Sequence, residues 1–311
     1  EAAGEIGIRG ALGKVLMDRE SPDGLLEETE QALSESERLL KQYHRSFDDR
    51  IRYAVTPRFT PTCTEECLRG SRELADIEEK VRIHTHASES ASVVEFVDEE
   101  YGMGDIEWLH ELGLTGEDVV LAHVILTSDA EREILKETGT HVCYCPSSNM
   151  KIGAGIAPIV DYLDREINVA LGNDGAPVNN TMDPFVDLRQ ATLLQKVEHR
   201  DPTMLPVETV FEMATVNGAK AIGFEKVGKL REGWTADIIG VEAEATRTIP
   251  RYDPYAHLVY AASGSDVEFT MVDGTVVVED GDVVTVDADG VRQAARERFP
   301  ELAERAHNKH A

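Results

Sequence analysis

Short β-rich runs alternate with longer amphipathic stretches from the beginning to about residue 235, and this alternation constrains the fold more than any other feature of the chain. Two parallel strands cannot be joined by a tight turn. They need a crossover of a dozen or more residues, usually a helix, so βα repetition implies a parallel sheet clothed by helices. Strands are read at 10–17, 51–58, 81–88, 118–126, 140–144 and 168–172, with helical patterns at 27–40, 65–80, 92–100, 129–137, 157–166, 183–196 and 206–222. Thr127-Ser128-Asp129 and Pro206 are helix-start signals.

Six units fall two short of an eight-stranded (β/α) barrel, and two further strands are expected ahead of Glu1. From about Lys229 the texture changes to Gly-punctuated β runs at 236–241, 269–278 (with the turn Asp273-Gly274) and 283–286, followed by a helix at 291–305. The expected organisation is a partial barrel over 1–228, a small β-sandwich portion over 229–290 and a C-terminal helix over 291–311.

Composition limits the function classes. The net charge is −28, with 59 acidic against 31 basic residues, of which 10 are Lys and 21 Arg. A nucleic-acid binder or a protein of anionic membranes needs clustered cations that are absent here, so neither partner is expected. A solvated acidic surface poor in lysine suggests adaptation to high salt, where screening suppresses self-repulsion. No apolar run approaches the roughly 20 residues that span a bilayer. Residues 1–10 lack the basic and apolar parts of a secretory signal, and a cytoplasmic location is expected. The cysteines fall in two close pairs, Cys63/Cys67 and Cys143/Cys145, without zinc-ribbon spacing, and are read as idle thiols.

The chemistry lies at the ends of the strands, where a parallel barrel places its active site. In Val81-Arg82-Ile83-His84-Thr85-His86-Ala87-Ser88-Glu89, alternation sends Val81, Ile83 and Thr85 to one face and His84, His86 and Ser88 to the other. His86 lies about 7 Å nearer the rim than His84, which makes it the better ligand, with Glu89 just beyond at the mouth. Val119-Val120-Leu121-Ala122-His123 delivers a second histidine, and Val169-Ala170-Leu171-Gly172-Asn173-Asp174 delivers a carboxylate. Imidazole and carboxylate donors suit zinc or ferrous iron, and such an ion makes water a nucleophile near neutral pH. Each residue alone has a duller reading, as a core histidine or a turn aspartate. Two His-bearing strands and an Asp-bearing strand in βα order outweigh it.

His-Thr-His-Ala-Ser-Glu at 84–89, Leu-Ala-His at 121–123, Cys-Pro-Ser-Ser-Asn-Met-Lys at 145–151 and Leu-Gly-Asn-Asp-Gly-Ala-Pro-Val-Asn-Asn at 171–180 resemble successive barrel motifs of the amidohydrolase superfamily. The branch they are most similar to contains the methylthioadenosine, S-adenosylhomocysteine and 5′-deoxyadenosine deaminases, with guanine deaminases and triazine hydrolases nearby. The segment 228–237 resembles the superfamily's return to its small β-sandwich. The resemblance implies a metal-dependent (β/α)8 TIM barrel, here without its first strands, that deaminates a purine ring. It makes His86 and Asp174 metal ligands, with help from His123, and zinc the expected ion, ferrous iron the alternative. It gives Glu89, His123 and Asp174 catalytic roles and places Arg58, Glu89 and Asp174 against the purine. His-x-His ligands on a first strand are absent from this sequence. A homo-oligomer is expected. Guanine deamination, triazine chloro- or aminohydrolysis, and a non-catalytic barrel scaffold are the competing readings.

Overall fold

The computed structural model describes residues 1–246 and 248–308, the last three by backbone alone. The first expected strand is present as two pieces, β1 (Gly10–Leu12) and β2 (Val15–Leu16), both paired in parallel with β3 (Ile51–Pro57). The interruption has a steric cause: at Gly13 a Cβ would lie 1.7 Å from the Ala54 carbonyl oxygen, so the two backbones meet there at a distance only glycine allows. Beyond β3 the sheet continues with β4 (Arg82–Ala87), β5 (Val119–His123), β6 (His141–Tyr144) and β7 (Val169–Leu171), every neighbouring pair parallel. The order is sequential, β1-β3-β4-β5-β6-β7. The sheet curls like part of a barrel but stays open, and among the described residues β1 and β7 do not pair with each other.

Burial explains why these segments are strands. Every residue of β5 is buried, as expected of a strand covered on both faces. β4 alternates instead: Ile83, Thr85 and Ala87 are buried under the helical layer, while Arg82, His84 and His86 turn to the concave side. One core between sheet and helices includes Leu16, Val55, Leu68, Ile83, Leu109, Leu121, Leu135 and Tyr162, all fully buried.

Helix boundaries follow local chemistry. Ser128 caps Asp129–Thr138 in a capping box with Glu131, and Thr64 caps Glu65–Ala75 by accepting from the Cys67 amide. The helix expected over 206–222 is two helices, Val207–Ala214 and Val216–Ala221, broken at Thr215 (φ −121°, ψ −93°). Short helices that had no expectation include Asp105–Glu111, Pro146–Lys151 and Pro254–Tyr260. A separate antiparallel sheet holds β8 (Ile238–Val241), β9 (Val267–Val272), β10 (Thr275–Glu279) and β11 (Asp282–Val283), in the order β11-β10-β9-β8. Asp273 and Gly274, both with positive φ, form the β9–β10 turn inside the run read as 269–278. The helix Ala288–Asn308 lies almost wholly exposed as far as its side chains are described. Among the described residues no helix is long and apolar enough to cross a membrane.

Candidate metal-dependent active site

The strand-end residues singled out above meet at the C-terminal rim of β4, β5 and β7. His86 and His123 stack with ring centroids 5.2 Å apart, and His84 lies 6.3 Å from His86 on the side away from the rim. Glu89 reaches back so that its Oε1 is 3.6 Å from His123 Nε2. Asp174 follows β7, half-buried, with its Oδ1 accepting from the Gly175 amide at 2.6 Å. Arg58, after β3, is exposed and stacks its guanidinium on Phe59, 4.9 Å from the ring centre, and Phe59 in turn lies 6.3 Å from His86.

The backbone at this rim is strained. Ser88 (φ 49°), His123 (φ 71°), Val124 (φ 47°) and Asp174 (φ 61°) all occupy the left-handed region, which non-glycine residues avoid and β-branched residues avoid most. Long-range hydrogen bonds hold the first loops in place. Val124 N donates to the Ala87 carbonyl, and the amides of Ile125 and Leu126 both donate to the Ser88 carbonyl, each at 3.0 Å. The chain is thereby turned sharply at the point where each strand presents its polar side chain.

The tautomers of both rim histidines follow from their partners. His86 Nδ1 lies 2.7 Å from the Arg58 carbonyl oxygen, which can only accept, so Nδ1 carries the proton and Nε2 keeps a lone pair. Arg58's carbonyl also accepts from the His86 amide at 3.0 Å and the Thr85 hydroxyl at 3.1 Å. His123 Nδ1 lies 2.9 Å from Asn149 Oδ1, with both residues 1% exposed. Its Nε2 is buried and has no hydrogen-bond partner. A buried, unpaired imidazole nitrogen costs free energy unless something binds it. Two imidazoles with oriented lone pairs beside a carboxylate fit a borderline divalent cation, and the oxygens behind their Nδ1 atoms are the support such ligands usually have.

Electrostatics favour neutral rings at His84 and His86 and a charged carboxylate at Asp174. Burial, then the neighbouring His123, holds His86 below the usual imidazole range. Enclosure by the sheet, followed by the charges of His86 and His123, pushes His84 down to about 4. Burial tends to raise Asp174, but the Ser148 hydroxyl, close by without a well-formed hydrogen bond, the Gly175 amide and the two imidazoles outweigh it and hold the group below the usual carboxylate range.

The structure also shows residues to which the sequence reading gave no role. Asn149 orients His123. Asp187 accepts from Ser147, Asn173 and Asn179 and so fixes the loop around Asp174. Asp105 is fully buried and accepts from the Ser88 amide and the Thr60 hydroxyl, both at 2.7 Å, joining the loops that follow β3 and β4. The Pro-Ser-Ser-Asn segment pointed towards Asn149, whereas Asp105 left no local signal. A cavity of about 750 Å³ lies elsewhere, between the concave face of the sheet, the helix Val216–Ala221 and β8–β9. Of the histidines considered, only His84 lines it. Nor do His86, His123 and Asp174 bring their ligand atoms within 4.8 Å of one another, so the rim site is an open arrangement.

This arrangement belongs to a known class. Residues 1–277 match the family model described as the amidohydrolase family, and the chain is a member of that family. It is 38% identical over 301 residues to the 5′-deoxyadenosine deaminase of Methanothermobacter thermautotrophicus, covering 97% of this chain and 69% of the relative. It is 34% identical over 291 residues to the 5-methylthioadenosine/S-adenosylhomocysteine deaminase of Pyrococcus abyssi, covering 94% and 67%. Among solved structures, an adenosine deaminase from Xanthomonas campestris with bound zinc superposes with a TM-score of 0.90 at 27% identity, over 97% of this chain and 68% of that one.

Proposed function

We propose that this chain carries a metal-dependent centre for the hydrolytic deamination of a purine ring, with an adenosine derivative such as 5′-deoxyadenosine, methylthioadenosine or S-adenosylhomocysteine as substrate. The observation that carries the reading is the buried, unpartnered His123 Nε2, its tautomer fixed by Asn149 and its lone pair facing the rim beside Glu89. His86, Asp174 and His123 are the residues that would hold one divalent ion, zinc by preference. Bound there, such an ion lowers the pKa of a coordinated water towards neutrality and polarises the reacting carbon.

The side chains divide the remaining work. Asp174, held ionised, is the acceptor for the proton that water loses on attack, with Glu89 as the alternative acceptor. Glu89 delivers a proton to the ring nitrogen next to the carbon under attack. Asp174 then passes the proton it took from water to the amine, and ammonia leaves as the new carbon–oxygen double bond forms and the hydroxyl proton returns to Glu89. His123 has a single free lone pair, on Nε2, and so serves in turn: where Nε2 is not given to the ion it accepts a hydrogen bond from the water and aligns it with the carbon. Arg58 contacts the purine from the end of β3, where its exposed guanidinium on Phe59 supports the reading. The acidic chain is proposed to assemble with copies of itself.

The test is side-by-side turnover of 5′-deoxyadenosine, methylthioadenosine, guanine and a chlorotriazine by the zinc-loaded chain, read as released ammonia or chloride. Preferential ammonia release from an adenosine derivative is expected. Preference for guanine or the triazine would move the substrate assignment. No turnover of any, with zinc demonstrably bound, would defeat the proposal.

A further inference from the structure

We propose that Asp18, Cys63 and Cys67 form a second metal site, a soft structural clip for a zinc-like divalent ion, separate from the rim site and serving the loop that carries Arg58. Among the described residues this is the one group of three or more His, Cys, Asp or Glu side chains whose ligand atoms all lie within 4.8 Å of one another. Both thiols are completely buried, and neither forms a disulfide. Two sulfurs and a carboxylate oxygen are the donor set that zinc and its cobalt and cadmium surrogates prefer. Metal–sulfur bonds of about 2.3 Å and metal–oxygen bonds of about 2.0 Å put tetrahedral ligand atoms roughly 3.5 Å apart. With ligand atoms within 4.8 Å of one another, at most about 1.3 Å of contraction along each edge separates the cluster from a bound geometry.

The surroundings fit a ligand set better than idle thiols. Asp18 is oriented as ligating carboxylates are: Oδ1 accepts from the Thr64 amide at 2.7 Å, and Oδ2 accepts from the hydroxyls of Thr29 at 2.7 Å and Thr64 at 2.5 Å. Three bonds leave one of the roughly four lone-pair positions of a carboxylate for an ion. The Cys63 thiol donates to the Leu16 carbonyl at 3.3 Å, and loss of its proton frees that oxygen as a fourth donor.

Charge balance removes the usual objection to a buried ion. Without metal the cluster holds one carboxylate and two neutral thiols, a net −1. Binding a divalent cation releases two protons and leaves one carboxylate, two thiolates and the ion, again −1. The interior charge is unchanged, so the exchange avoids the desolvation penalty of a new buried charge. The clip would tie the end of β2 to the turn after β3. Backbone bonds already join the two there, from the Asp18 and Arg19 amides to the Thr62 carbonyl and from the Arg58 amide to the Leu16 carbonyl.

The test uses the whole reduced chain titrated with cobalt(II), in the wild type and in His86→Ala, which disables the rim site. A near-ultraviolet thiolate-to-cobalt charge-transfer band is expected in both. It should persist in Cys143→Ser/Cys145→Ser and vanish in Cys67→Ser, and cadmium should raise the melting temperature of His86→Ala. No band in His86→Ala, or a band surviving Cys67→Ser, overturns the proposal. If Cys67→Ser fails to fold, X-ray absorption at the cadmium edge of the loaded Cys143→Ser/Cys145→Ser chain decides instead. A sulfur shell around the ion supports the site, and its absence overturns it.

Discussion

Asn149→Ala isolates what fixes the His123 tautomer. In the native site the Nδ1 proton points at Asn149 Oδ1, 2.9 Å away, and both groups are 1% exposed, so bulk water does not compete for this bond. Deleting the acceptor strands a buried N–H at a cost of about 1–3 kcal/mol. The ring escapes that cost by moving its proton to Nε2, where Glu89 Oε1, at 3.6 Å, is the nearby acceptor. The form with a free Nε2 lone pair is then disfavoured by a factor of about 5 to 150 at room temperature for that energy range. Loss of a residue supporting a metal ligand commonly weakens binding about 10- to 100-fold, the same range reached from a different direction. The measurements are zinc affinity by chelator competition and the nitrogen chemical shifts of His123. Asn149→Asp keeps an acceptor and should keep the Nδ1-protonated ring. If Asn149→Ala leaves the shifts unchanged and the zinc affinity within twofold, the reasoning fails.

Glu89→Gln preserves size and removes the proton shuttle, so turnover of the adenosine derivative should fall by roughly 10²- to 10⁴-fold while zinc still binds; metal analysis with a steady-state assay checks both halves. Burial raises the Asp105 carboxyl to about 6, with the Ser88 amide and Thr60 hydroxyl opposing and Glu131 adding to it. A carboxyl whose folded pKa exceeds its unfolded value binds its proton more tightly in the native state, so its contribution to stability falls as pH rises from about 4 through 6. Urea midpoints across that window should lose this slope in Asp105→Asn, whose amide can still serve Ser88 and Thr60; an unchanged slope refutes the assignment. With a net charge of −28, the melting temperature should climb with potassium chloride as screening weakens self-repulsion, and a salt-independent melting curve would count against adaptation to high salt.

The six strand positions were legible because their signals are local. β3 and β5 are near-continuous apolar runs, and β4 alternates cleanly enough to place His84 and His86 on one face before any coordinates. The breaks were not legible. The gap between β1 and β2 depends on how closely Ala54 approaches Gly13, and the interruption at Thr215 has no proline or glycine at that residue to announce it. The same distinction holds at the rim. His86, His123, Glu89 and Asp174 lie at strand ends, which pattern reveals. Asp105 acts through Thr60 and Ser88, 45 and 17 residues away, and only tertiary structure brings those together. Asn149 was visible as part of a motif, but its task depends on a histidine 26 residues earlier.

The carbonyl of Arg58 has a consequence for how such a protein can diverge. That oxygen takes hydrogen bonds from the Thr85 hydroxyl, the His86 amide and the His86 ring, and so sets the pose of a proposed ligand. Every amino acid supplies the same carbonyl. The side chain at this position stands exposed at the rim and can be exchanged without unhooking His86. Inheritance of the reaction and drift of the molecule it acts on are thereby uncoupled within one residue. A library varied at position 58 alone should spread in substrate preference while its members keep a common affinity for the ion.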